Sequence, residues 1–179
     1  MKLLWVAGLL LAGVVLAGCV GAATEGANMA KDEAVYRRNL AEAEAGKAEA
    51  QYRVGDALCC SLGDKQGFYD TRKSVDWLCR AAAQGYAPAS EKLGRIYSGH
   101  VVDGVRLLRR VAERVAGRPK QRAVAYAWLH TATLQGADGA KQDATDLWSE
   151  LDEDERAEAR ALVTGGAPLP CRWDEVFPD

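Results

Sequence analysis

Two histidines, five cysteines and one run of four carboxylates are the side chains whose type and spacing could do chemistry in this 179-residue sequence. His100 and His130 are the only imidazoles available for acid–base work or metal ligation. His130 has no Asp, Ser or Cys partner spaced to build a nucleophile and its base, so it is read as an ordinary helix residue. Asp152, Glu153, Asp154 and Glu155 could pair as acid and base or hold a divalent cation. The simpler expectation is a helix start, where free N–H groups and the dipole stabilise carboxylates by roughly 0.3–1 kcal/mol. No glycine-rich phosphate loop, GxSxG or SxxK is present. These residues assign no catalytic group, metal site or cofactor, and the chain is expected not to be an enzyme.

The surrounding sequence must therefore supply function through surface and shape. It is 27% charged and 49% apolar with a net charge of −2, enough apolar matter for one folded domain and no cationic excess for gripping nucleic acid. An apolar run from Leu3 to Leu16 follows Lys2 and ends in Leu16, Ala17, Gly18, Cys19. That run is shorter than the ~20 residues of a bilayer span, and small residues close it, so it reads as a secretory signal. LAGC resembles the lipobox of bacterial lipoproteins. The resemblance implies cleavage before Cys19, its diacylation, and attachment in the cell envelope; Val20, in place of Asp, points to the outer membrane facing the periplasm. Cleavage removes only one charge, Lys2. The expected layout is a signal at 1–18, a Gly- and Ala-rich tether at 19–30, a repeat domain at 31–163 and a tail at 164–179.

The domain repeats itself. Ala48, Ala50, Val54, Gly55 and Leu58 recur 39 residues later as Ala87, Ala89, Leu93, Gly94 and Tyr97. Trp77, Leu78, Ala81, Gln84 and Gly85 recur 51 residues later as Trp128, Leu129, Ala132, Gln135 and Gly136, so the second unit carries a 12-residue insertion. Apolar residues four apart make both blocks helical, and Gly85 and Gly136 are expected to end their helices in the left-handed conformation. One such hairpin cannot bury its apolar face alone, so the units must stack. Asp152 with Glu155 is a capping-box start for a last helix through Val163, and Pro168 and Pro170 predict a non-helical tail.

AEAQYRVG (Ala48 to Gly55), WLCRAAAQG (Trp77 to Gly85) and AYAWLHTATLQGADGA (Ala125 to Ala140) resemble the Sel-one-like repeats, bacterial relatives of the tetratricopeptide repeats, over Ala34 to Val163. The resemblance implies an all-α, right-handed α-solenoid of helix-turn-helix units with a capping helix. Cys59 and Cys60 and the insertion depart from the family pattern.

Export permits disulfides among Cys59, Cys60, Cys79 and Cys171. Zinc is disfavoured, because no CxxC occurs and both histidines are distant in sequence. A bridge between adjacent Cys59 and Cys60 on a helix would join diverging side chains, so the expectation is two bridges from this pair to Cys79 and Cys171, in either order.

Charge is segregated. Asp103 to Arg122 holds seven basic residues against two acidic, and Asp138 to Arg160 nine acidic against three basic. The inserted segment, with Val105, Leu108, Val111, Ala112 and Val115, has the period of an amphipathic helix. Glu49, Arg53, Asp56, Lys92 and Arg95 are expected to line a polar groove, and Arg106, Arg109 and Arg110 a basic patch, that contact a partner protein. The tail with Trp173, Val176 and Phe177 could itself fill that groove. The partner is expected to be an envelope-complex component or a secreted effector, with the membrane engaged through the N-terminal lipid and no small-molecule substrate. The family resemblance adds two further readings, a periplasmic immunity protein against a type VI secretion phospholipase effector, and a β-lactam-binding or hydrolysing enzyme, which the missing SxxK disfavours. Cys19→Ser is expected to release the protein from membranes; continued membrane attachment and palmitate labelling would remove the lipid anchor.

Overall fold

The computed structural model describes residues 28–60, 65–99 and 120–178. Cys19, His100, the insertion expected to be helical and Arg106, Arg109 and Arg110 lie outside them. The described chain is mostly helical: α1 (28–44), α2 (Ala48–Leu58), α3 (Thr71–Ala82), α4 (Ala87–Ser98), α5 (Arg122–Leu134), α6 (Asp138–Glu150), α7 (Glu153–Thr164) and the single turn α8 (Trp173–Val176). A two-residue ladder, β1 (Lys65–Gln66) with β2 (Tyr69–Asp70), sits in the link before α3. Residues 28–30, expected in the tether, are already helical, because Met29 and Ala30 are good helix formers that extend α1.

Local chemistry sets the ends. Gly46, Gly85 and Gly136 all have positive φ (92°, 77° and 91°). Each closes a helix with the same pair of bonds: Gly85 N–H to Ala82 C=O with Tyr86 N–H to Ala81 C=O, and Gly136 N–H to Thr133 C=O with Ala137 N–H to Ala132 C=O. Gly46 and Lys47 close α1 likewise on Ala43 and Glu42. The three terminators are spaced by the same 39 and 51 residues that separate the repeats. Asp70 caps α3 by accepting from Lys73 N–H at 3.0 Å. α7 opens with the expected reciprocal box, Glu155 N–H to Asp152 Oδ1 at 2.9 Å and Asp152 N–H to Glu155 Oε2 at 3.0 Å.

Consecutive helices pack on one another: α2 on α3, α3 on α4, α4 on α5, α5 on α6, with α7 folding back onto α5. One cluster of α3 to α8 holds Leu78, Leu93, Tyr97 and Leu129, none more than 1% exposed; a second joins Ala43 of α1 to Ala50, Val54 and Leu58 of α2. The two units use equivalent contacts. A Cβ on Gly55 would stand 2.8 Å from Leu78 Cγ and 3.0 Å from Ser74 O; one on Gly94 would stand 2.6 Å from Leu129 Cγ and 3.1 Å from Ala125 O. Gln51 accepts from Gln84 at 2.8 Å, and Ser90, the counterpart of Gln51, donates to Gln135, the counterpart of Gln84, at 2.8 Å. The matching donor-acceptor pair is reversed in sense and unchanged in place.

The tail corrects one expectation. Pro168 and Pro170 bar helix around themselves, but no proline falls between Arg172 and Phe177, and Glu175 accepts the N–H groups of Cys171 and Arg172, both at 3.0 Å, to start α8. Gly94→Ala and Gly55→Ala are each expected to destabilise by about 1–3 kcal/mol, the overpacking cost outweighing alanine's better helix propensity. Urea unfolding measures this, and a stabilised Gly94→Ala would show that the helices are not held at the contact distance described.

Candidate functional site

Three surfaces could serve a partner: the polar face of the first helices, the tail with its disulfide, and a cleft between α5 and α6. The first departs from expectation. Lys92 is only 8% exposed and its Nζ lies 2.9 Å from Asp56 Oδ1, so α4 is tied to α2. Arg95 Nε donates to Asp143 Oδ2 at 2.7 Å and its Nη2 lies 2.8 Å from Glu91 Oε1, tying α4 to α6. These bonds share one register: Lys92 and Asp143 occupy one repeat position, Asp56 and Arg95 another, and each pair joins a unit to the one before it with the signs exchanged. Sequence reading placed Asp56, Lys92 and Arg95 on an open groove because charge ordinarily faces water; here it links neighbouring first helices. A buried ammonium without its carboxylate would cost several kcal/mol, so the pairing is needed once Lys92 is enclosed. Glu49 and Arg53 do stay at the surface, paired with each other, and border a polar cleft with Asn39, Glu42 and Lys47.

Neither of the two expected bridges is formed. Cys79 is bonded to Cys171, one of the pairs that was not expected, and Cys59 is bonded to Cys60. The objection to an adjacent bridge assumed a helix, whereas α2 stops at Leu58 and Cys59 is extended (φ −82°, ψ 146°). With Cys79 Cα 5.8 Å from Cys171 Cα, the tail is fastened to α3. All four thiols are thereby spent.

Around this bridge the tail is read by side chains that grip its main chain. Trp128 Nε1–H donates to Pro170 O at 2.9 Å, and the buried Tyr97 hydroxyl donates to Cys171 O. Arg72 Nη1 lies 2.6 Å from Asp174 Oδ1, and Phe177 packs 5.9 Å from the Tyr97 ring. Burial pushes the Tyr97 phenol far above its ordinary range, with Glu175 and Asp76 adding to the effect, so it stays a donor. The N–H groups of Cys171 and Arg172 hold the Glu175 carboxyl below its usual range. The tail thus rests on α3, Tyr97 and Trp128, and its described polar contacts involve none of Glu49, Arg53, Asp56, Lys92 or Arg95.

The acidic run serves structure: Asp152 and Glu155 form the cap, and Glu155 also receives Arg122 Nε and Nη2 at 2.8 and 2.6 Å. Arg122 is the described end of the basic segment, which at this point pairs within the fold.

The remaining surface was missed in the sequence. Tyr126, His130 and Thr133 of α5 face Lys141, Ala144, Thr145 and Trp148 of α6 across a cleft of about 260 Å³. Tyr126 lies 4.7 Å from the Trp148 ring and 6.1 Å from His130, centroid to centroid. Arg156 and Arg160 of α7 lie over the Trp148 ring at 5.7 and 5.8 Å. A signal existed. Carrying the 51-residue displacement past Gly136 turns Ala89, Leu93 and Tyr97 into Ala140, Ala144 and Trp148, which marks α6 as a third first helix. No model of a known protein family matches the chain, and no curated protein matches it.

Cys79 and Cys171 close a loop with a sequence separation of 92. Cys79→Ala with Cys171→Ala is expected to cost about 2–5 kcal/mol, read as a lowered Tm under non-reducing conditions. An unchanged Tm would mean that the bridge adds nothing to the docking of the tail.

Proposed function

We propose that this protein is a lipid-anchored envelope protein of the Sel-one-like repeat type whose helices form a right-handed α-solenoid, and that it works by binding another protein. The single observation that carries this reading is the recurrence of tertiary contacts at the sequence period. Gly55 against Leu78 and Gly94 against Leu129, Lys92 with Asp56 and Asp143 with Arg95, are the same contacts made twice. Units that contact their neighbours in one repeated way build a quasi-one-dimensional array, and such arrays present long surfaces suited to segments of other proteins.

The fate of the reactive side chains supports binding over catalysis. The four described cysteines are in disulfides, the carboxylate run caps a helix and pairs with Arg122, and Lys92 and Arg95 are held in ion pairs. Among the described residues, what remains at the surface is shape, aromatic rings and scattered charge. The array also ends by design. Thr145 of α6 stands where Gly55 and Gly94 admit the following helix, and Gln142, Thr145 and Ser149 are exposed, as expected of a terminal unit with a polar outer face.

The test is chemical crosslinking of the full chain in intact envelopes, with the crosslinked species identified by mass spectrometry. One dominant protein joined to the repeat domain is the expected result. A chain that crosslinks to nothing, or purified protein that hydrolyses nitrocefin and loses this on a single substitution, would overturn the reading.

A further inference from the structure

We propose that the cleft between α5 and α6 receives an extended, proline-containing segment of a partner protein, held by its main chain and seated on Tyr126, His130 and Trp148. This rests on the protein-binding reading above and gives it a site.

The argument is internal to the molecule. Moving back 51 residues converts Tyr126, His130 and Thr133 into Val75, Cys79 and Ala82, and Lys141, Ala144, Thr145 and Trp148 into Ser90, Leu93, Gly94 and Tyr97. The cleft is therefore the next copy of the surface between α3 and α4. That earlier copy is covered by two things. α5 covers one part, with Leu129 against Gly94 and Gln135 on Ser90. The tail covers the other, with Cys171 bonded to Cys79 and its carbonyl receiving the Tyr97 hydroxyl.

At the cleft these two parts have diverged. Positions that met α5 are now Lys141 and Thr145, both exposed, and a helix cannot approach a threonine as closely as it approaches Gly94. α7 packs on α5 after the two-residue link Leu151 and Asp152 and sends Arg156 and Arg160 over the Trp148 ring, while Lys141 and Thr145 stay exposed. Positions that met the tail have become His130 and Trp148, with Tyr126 beside them, partly buried and aromatic. Thr145 thus keeps a following helix from the contact that α5 makes at Gly94, and we infer that the aromatic positions take an extended chain instead. The chain seen at the earlier copy reads Pro168, Leu169, Pro170, Cys171, gripped through the carbonyls of Pro170 and Cys171. Proline-rich segments suit such a site because they are extended before binding, and aromatic-lined grooves are their usual seat. Indole N–H, phenol O–H and imidazole N–H groups of Trp148, Tyr126 and His130 can donate to carbonyls; among the described residues none of these donors is engaged with another protein group.

The probe is a synthetic peptide of residues 167–173 with Cys171→Ser, titrated into the intact, disulfide-bonded protein and followed by NMR. The resident tail is covalently held, so the peptide must find another place. Saturable shifts confined to Tyr126, His130, Thr145 and Trp148, weakened at least ~10-fold by Thr145→Arg, are expected; a tenfold change is about 1.4 kcal/mol. Thr145 is exposed, and unchanged resonances elsewhere verify that the variant folds. No shift at these residues with millimolar peptide, shifts that Thr145→Arg leaves alone, or a dimer dissolved by Thr145→Arg would each overturn the proposal, the last by giving the cleft to a second copy. Envelope crosslinking separates the two levels: a partner retained by Thr145→Arg sinks the cleft assignment alone, and a wild-type chain without a partner sinks the broader reading.

Discussion

The structure depends on how closely two helices can approach within a unit. Gly55 and Gly94 leave no room for a Cβ, with Leu78 and Leu129 seated directly on them. That contact brings the carbonyls of Ser74 and Ala125 against the neighbouring backbone, and it fixes where the rest of the second helix lies. Leu78 and Leu129 are 0% and 1% exposed as a result, and the gain from enclosing each, about 1.5–3 kcal/mol, exceeds the propensity lost by a helical glycine. Remove the small residue and the interface must open along its length.

Given that spacing, the first helices meet at a distance that charged side chains can bridge. Lys92 reaches Asp56 and Arg95 reaches Asp143 in one register, and the exchange of signs between the two steps means that each link suits its own neighbour. The same geometry explains the end of the array. Thr145 stands where Gly94 meets α5, and α7 turns back to α5, where Ala159 is buried and Glu155 holds Arg122. The tail then closes what the helices leave open over α3, through one disulfide and two bonds to its main chain.

Among the described residues, the cysteines are held in disulfides, Lys92 and Arg95 in ion pairs, and Asp152 and Glu155 in a helix cap. Under the function proposed, recognition falls to a surface in which the tail's own seat recurs once more between α5 and α6. Under the proposal made for the cleft, the copy filled by the chain's own tail shows the kind of segment that the open copy would take.

Much of this was legible in the residues. The periods of 39 and 51, the helix-ending glycines and the Asp152–Glu155 cap were read from sequence because each depends on local backbone chemistry that neighbouring residues settle. Which cysteines join, whether Lys92 faces water or Asp56, and that Tyr126 and Trp148 share a cleft were decided only by tertiary structure. Those outcomes turn on distances between atoms far apart in the chain. A lysine's periodicity reports the helix face it occupies and carries no information on whether another helix will cover that face.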